Sequence, residues 1–180
     1  MTCIVGIERK GKVFIGADSA GTFGNLSQRV LSDKKVFLNG NVLIGVCGLP
    51  KVMDLLHHRV KFPKQKVGTS REFVSRTLIP FIQSALEGAD CLQKHNGDVS
   101  FEGALLVGYA GKLYNIESNL QIVTSAYGFD SVGSGSDIAI GSLHATVGDR
   151  NVERRILKAL EASAINNAGV RPPFTILSVK

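Results

Sequence analysis

Apolar and polar residues alternate along the first third of the chain, which is the period of half-buried strands. Thr2–Glu8 and Lys12–Asp18 form two such runs, joined by a turn at Lys10-Gly11. Gly21–Ser32 is glycine-rich and polar and reads as an irregular segment. Lys35–Leu38 and Val42–Cys47 are two further strands, hinged at Asn39-Gly40, a hairpin signal. The period then changes. Pro50–Val60 carries Val52, Leu55 and Leu56 at helical spacing. A second helix opens at Ser70, a candidate N-cap, and continues through Phe73, Leu78, Phe81, Ile82 and Leu86 towards Ala89. Pro80 is expected to kink it. Strands return at Gly103–Tyr109, Lys112–Glu117 and Gln121–Ala126, with a turn at Ala110-Gly111. Gly133-Ser134-Gly135 breaks the pattern before two helices, Asp137–Thr146 and Asn151–Asn167. Val152, Ile156, Leu157, Leu160 and Ala164 form an apolar stripe on the second. Phe174–Val179, after Pro172-Pro173, is a last strand.

Strands, two helices, strands, two helices and a strand make an α+β order rather than alternating βαβ units. Two antiparallel sheets with a helix pair on each outer face satisfy it. The 180 residues predict one domain, 1–180, without linker or repeat. Hydrophobic residues are 44% and charged residues 20%, enough for a real core. No apolar run approaches the roughly 20 residues of a membrane span. The first residues read as a strand rather than an export signal. Cys3, Cys47 and Cys91 are odd in number and widely spaced, which argues against a disulfide framework or a zinc site. A cytoplasmic setting and no metal are therefore expected.

The net charge is +6, and His57, His58, Arg59, Lys61, Lys64 and Lys66 cluster. Only Phe62 interleaves with them, so a solvated or partner-docking surface is expected rather than nucleic-acid binding. Adjacent histidines on a helix point apart, which is poor metal-ligand geometry.

Candidate chemistry begins at Thr2. If Met1 is removed, Thr2 carries a free α-amine beside its hydroxyl, and a threonine hydroxyl needs such a nearby base to act as nucleophile. If Met1 is retained, that amine is blocked. Asp18, in Gly16-Ala17-Asp18-Ser19, ends the hairpin partner of the first strand and can sit beside the N-terminus. Lys34-Lys35-Val36-Phe37 brings a cation to the third strand, where it can pair with Asp18 and favour a deprotonated hydroxyl. In Ile44-Gly45-Val46-Cys47-Gly48, Gly45 permits close backbone approach, and its N–H is a candidate oxyanion donor. Gly133-Ser134-Gly135 is a corner able to deliver Ser134 to the α-amine. Each motif alone is commonplace: a second residue, a turn aspartate, an edge lysine, a strand glycine, a helix cap.

In this order and spacing the motifs resemble the proteasome β-subunits and the bacterial HslV-type peptidases, over nearly the whole chain. The resemblance implies a four-layer αββα sandwich, the N-terminal-nucleophile (Ntn) hydrolase fold. It implies Thr2 as nucleophile, its α-amine as base, Asp18 and Lys35 as the tuning charge pair, the Gly45 N–H at the oxyanion and Ser134 near the amine. Thr22 and Cys47 would pair with an extended peptide, and Leu43 would line the first specificity pocket. Lys35 is chosen over Lys34 because it directly precedes the aliphatic residue. One feature departs: where many of these subunits carry Asp-x-x-Ser-Gly, this chain reads Asn166-Asn167-Ala168-Gly169.

The implied activity is that of a self-compartmentalising ring peptidase acting on unfolded polypeptide, with homo-oligomeric stacked rings. No nucleotide-binding loop is present, so an AAA+ unfoldase partner would use the ATP, and no cofactor is expected in the chain. Two alternatives stand: a small-molecule amidase of the same fold, or a non-catalytic ring or binding protein.

Overall fold

The computed structural model describes residues 1–23 and 27–180. In chain order the strands are Ile4–Arg9 (β1), Lys12–Ala17 (β2), Ala20–Phe23 (β3), Ser27–Val30 (β4), Val36–Asn39 (β5), Val42–Gly48 (β6), Leu92–His95 (β7), Asp98–Phe101 (β8), Gly103–Tyr109 (β9), Lys112–Ile116 (β10), Ile122–Val123 (β11), Phe129–Val132 (β12) and Thr175–Val179 (β13). The helices are Pro50–Asp54 (α1), Ser70–Phe73 (α2), Ile79–Gly88 (α3), Ser136–Ala145 (α4) and Val152–Asn166 (α5). One sheet has the order β12-β1-β2-β13 and another β11-β10-β9-β6-β5. Every neighbouring pair is antiparallel. β3-β4 and β7-β8 are separate two-stranded ribbons.

Three buried apolar clusters hold these elements together. Leu56, Leu78, Ile82 and Leu86 of the first helical region lie on Ile44, Leu105 and Val107 of the five-stranded sheet. Ala139, Leu143, Ile156 and Leu160 of α4 and α5 lie on Val5 and Ile7 of the four-stranded sheet. Between the sheets, Ile4, Val13 and Ile15 meet Val36, Leu43, Leu106 and Leu113. Successive β1 residues thus serve two cores, as the two-residue strand period demands. On α5 the buried line is Val152, Arg155, Ile156, Ala159, Leu160 and Ser163. The expected stripe is therefore rotated slightly, and Leu157 is left 38% exposed.

The helical regions are wound unevenly. π-helical turns follow α1 at Leu55–Arg59 and α2 at Val74–Leu78. The second lies just before Pro80, where the missing N–H would interrupt regular α winding. The N-cap of α2 is Thr69 rather than Ser70: its side chain accepts from the Glu72 N–H, and Glu72 returns the bond. The His57 and His58 rings do not point apart. Their centroids lie 3.8 Å from one another, with His57 also stacked 4.2 Å from Phe37.

Several local expectations change. Residues around the expected irregular Gly21–Ser32 form the β3–β4 ribbon; residues 24–26 lie outside the described residues. The Gln121–Ala126 run shortens to β11. The Lys10-Gly11 and Ala110-Gly111 turns form with positive φ at both residues. So does Asn96-Gly97, which joins β7 to β8, a hairpin hidden from periodicity by its mostly exposed, polar strands. Among the described residues no helix is long and apolar enough to cross a membrane.

The second hairpin turns at Gly40-Asn41 rather than Asn39-Gly40, since Asn39 pairs with Val42. Gly40 has φ 63°, the positive value a leading turn glycine supplies. This leaves the buried Asn39 side chain available to the helical region. Its Nδ2 donates to the carbonyls of Leu56 (2.8 Å) and Val60 (2.9 Å), and its Oδ1 accepts from the Phe62 N–H (3.1 Å). Asn39→Ala should therefore cost about 2–4 kcal/mol, by orphaning buried backbone groups. A urea-unfolding midpoint within experimental error of wild type would show that these bonds do not hold the helix to the hairpin.

Candidate active site

The site forms at one end of both sheets. β1 begins at Ile4, which pairs with Ala17 on one side and Val132 on the other. Thr2 and Cys3 continue past that point, with Asp18 following Ala17 on one flank and Gly133-Ser134 following Val132 on the other. Lys35 arrives from the second sheet, one residue before β5. Lys34 is exposed, whereas Lys35 is 6% exposed and turned towards Thr2 and Asp18.

Lys35 Nζ donates to Thr2 Oγ1 at 2.9 Å and to Asp18 Oδ1 at 2.8 Å, with Met1 O at 3.5 Å. Thr2 Oγ1 donates to Met1 O at 2.6 Å. Thr2 and Asp18 are 5% and 2% exposed, so these groups meet away from bulk water. There the Coulomb attraction of an ion pair is much less screened than at the surface. Asp18 is fully engaged. Its Oδ1 also accepts from the Cys3 N–H (3.0 Å), and its Oδ2 from the N–H groups of Ala20 (2.8 Å) and Arg171 (3.3 Å). Such a carboxylate fixes both its lysine and the backbone of the N-terminal strand.

On the other flank the Thr2 N–H donates to Ser134 Oγ at 3.2 Å, and the Gly135 N–H donates to Thr2 O at 3.2 Å. Gly133 has φ 102°, and a Cβ there would overlap Thr2 O, so the corner admits only glycine. Asn167, just beyond α5, supports Ser134: its Nδ2 donates to Ser134 O at 2.6 Å, and its Oδ1 lies 3.5 Å from Ser134 Oγ. In the sequence this stretch stands out only as lacking both the aspartate and the serine of Asp-x-x-Ser-Gly. The signal available was the amide side chain at the α5 terminus, facing a serine corner.

The remaining expected residues divide. Thr22 lines the cleft in front of Thr2, together with Leu31, Val46, Gly48 and Met53. Gly45 does not reach it. A Cβ at Gly45 would overlap Ile4 across the sheets, so inter-sheet packing is what excludes a side chain there. The Val46 N–H bonds the Lys35 carbonyl at 2.8 Å. Strand alternation then turns the Gly48 N–H to that same edge, and the Gly45 N–H towards β9. Leu43 is fully buried between the sheets and lines no part of the cleft. Cys47 is half-buried and pairs with Ala104 within the sheet. Burial pushes the Cys47 thiol up, against the opposing pull of the chain's amino terminus and Lys35. Burial likewise pushes up Cys3. A raised pKa leaves less thiolate at either cysteine. Among the described residues no group of three or more His, Cys, Asp or Glu side chains is placed to hold a metal ion.

No protein-family model matches the chain, and no curated protein matches it. Solved structures do match. Thiobacillus denitrificans BPH in complex with epoxomicin aligns at TM-score 0.81 and 17% identity, covering 99% of this chain and 98% of that one. Thiobacillus denitrificans BPH alone aligns at 0.81 and 18%, with the same coverage. The crystal structure of eukaryotic HslV from Trypanosoma brucei aligns at 0.70 and 18%, covering 99% of both chains. The chain therefore has the fold of these structures from end to end, as the sequence resemblance implies.

Lys35→Met should destabilise the protein by about 3–5 kcal/mol, because it strands Asp18 without its cation in a buried site. Adding Asp18→Asn should recover part of that loss, giving a non-additive double-mutant cycle in urea unfolding. Strictly additive losses would show that the two side chains do not act as a pair.

Proposed function

We propose that the chain is a proteasome-type threonine peptidase subunit whose nucleophile is Thr2 Oγ1 once Met1 is removed. The observation that carries this reading is the placement of Lys35 Nζ 2.9 Å from that oxygen while ion-paired to Asp18. The freed α-amine would take the hydroxyl proton as Oγ1 attacks a peptide carbonyl. The Lys35 charge favours the developing alkoxide. The amine would then pass the proton to the leaving amine, giving an ester on Thr2, and the same base would activate the water that releases the acid. The edge orientation of Gly48 supports it, in place of Gly45, as the oxyanion donor. An extended peptide would pair with β3 around Thr22 on one side and the end of β6 on the other, at Gly48 rather than Cys47. Leu31, Val46 and Met53 would receive an apolar side chain.

The three stacked cores fit the four-layer αββα sandwich of Ntn hydrolases, with residues 1–180 as one domain. The likeness to HslV supports stacked homo-oligomeric rings and a partner AAA+ unfoldase that consumes the ATP, and the odd, widely spaced cysteines support a cytoplasmic setting. No cofactor enters the chemistry proposed for the chain itself. A second reading, a silent ring subunit, holds for any form that keeps Met1. The Thr2 nitrogen is then a peptide amide, and Met1 O takes the Thr2 hydroxyl's hydrogen bond.

Protein processed to start at Thr2 should hydrolyse fluorogenic peptides carrying an apolar residue before the reporter. Thr2→Ala and the Met1-retaining form should lose about 1000-fold or more in kcat/KM, and Thr2→Ser should keep measurable activity. Equal hydrolysis by the Thr2→Ala protein would overturn the reading.

A further inference from the structure

Asn167 closes the hydrogen-bond chain behind Thr2 with an uncharged group. We propose that Asn167 is a positioning residue: it aims the Ser134 hydroxyl at the Thr2 α-amine while placing no negative charge there. That amine would thus remain an available base to lower pH than it would beside a carboxylate. The proposal rests on the reading of Thr2 as an N-terminal nucleophile.

The orientation of the Asn167 amide follows from its partners. The Gly169 N–H, 2.8 Å away, requires an oxygen, and Ser134 O, 2.6 Å away, requires an N–H. Asn167 is also held by its main chain, with its N–H donating to Ser163 O at 2.8 Å and its carbonyl accepting from the Val170 N–H at 3.1 Å. A residue fixed at this many points holds the corner bearing Ser134, and with it the oxygen that meets the Thr2 nitrogen at 3.2 Å. Two links separate Asn167 from that nitrogen: 3.5 Å from Oδ1 to Ser134 Oγ, whose proton is shared with Thr2 O at 3.4 Å, then 3.2 Å.

The charges around the amine come from the ends of β2 and β6 and the start of β5. Asp18 is neutralised by Lys35 at 2.8 Å, and Cys47 holds a thiol that burial keeps protonated. The Arg171 guanidinium turns away to Gln28 Oε1 at 3.3 Å. The α5 side contributes Asn167 and no carboxylate to this hydrogen-bond chain. A carboxylate at 167 would stabilise the ammonium form of the amine and raise its pKa. The amine would then act as base only at higher pH, so the acidic limb of kcat/KM would move upward.

The test uses protein beginning at Thr2, as wild type, Asn167→Asp and Asn167→Ala. Competitive acetylation of the α-amine by trace acetic anhydride, from about pH 5.5 to 9.5, reads its titration whether or not peptides are cleaved. The Asp variant should raise the amine's midpoint by about one pH unit. The acidic limb of kcat/KM should follow it. The Ala variant should lower kcat/KM about tenfold with the limb in place, because the serine is released but no charge is added. An amine titration identical in the Asp variant and wild type would overturn the proposal. So would an Ala variant with wild-type kcat/KM. A wild-type protein inert towards peptides, with the amine midpoint still raised in the Asp variant, would defeat the peptidase reading while leaving the electrostatic role of position 167 standing.

Discussion

The ion pair between Lys35 and Asp18 is the interaction on which the rest of this end of the molecule depends. Asp18 ends a strand of one sheet and Lys35 precedes a strand of the other, so the pair ties the sheets at the edge where the chain begins. Burying two charges is costly unless their remaining hydrogen-bonding capacity is met. Here it is met by backbone N–H groups of Cys3, Ala20 and Arg171 on the carboxylate and by Thr2 Oγ1 on the ammonium. Each partner that stabilises the pair is thereby fixed in place. The segment after α5 is drawn in by the same device: Arg171 bonds Asp18, and Ser19 donates to Pro173 O. Positioning of the hydroxyl and stabilisation of the pair are one arrangement.

Much of this was legible from the sequence because it follows hairpin logic. A carboxylate ending the second strand must lie beside the start of the first, which places Asp18 near Thr2. Lys35 comes from the other sheet and Ser134 follows β12, a strand the apolar pattern does not show, so these two were legible only through the family resemblance. Gly45 and Leu43 do not join them, and the reason is parity along β6. Both contribute to the contact between sheets, where Leu43 fills space and Gly45 leaves room for Ile4. Gly48 lies three residues further on, at the strand's open end, where the backbone is no longer enclosed. Gly48 also has no room for a side chain, since its φ is 125° and a Cβ would overlap Glu102 O, so the two glycines look alike in sequence and only the direction of the N–H separates them.

What the sequence concealed lies mostly in polar segments. The β3–β4 and β7–β8 ribbons carry few buried side chains, so no apolar period marks them. Asn167 was concealed for a different reason. The expected support for the N-terminal nitrogen was a carboxylate and a serine, and their absence looked like a loss. The structure places a neutral amide at that end of α5, one that both donates to and accepts from the corner it supports. The corner is thus held by hydrogen bonds from a side chain that carries no charge.

In the proposed mechanism a hydroxyl and an α-amine on one residue act together beside a buried lysine. A peptide epoxyketone tests this directly, because its ring-closing reaction uses both groups of an N-terminal threonine. Intact-mass and peptide mapping of protein beginning at Thr2 should show one adduct, confined to Thr2 and absent from Thr2→Ala and from protein that retains Met1. An adduct at Cys47 or elsewhere, or the same adduct on the Thr2→Ala protein, would contradict the account.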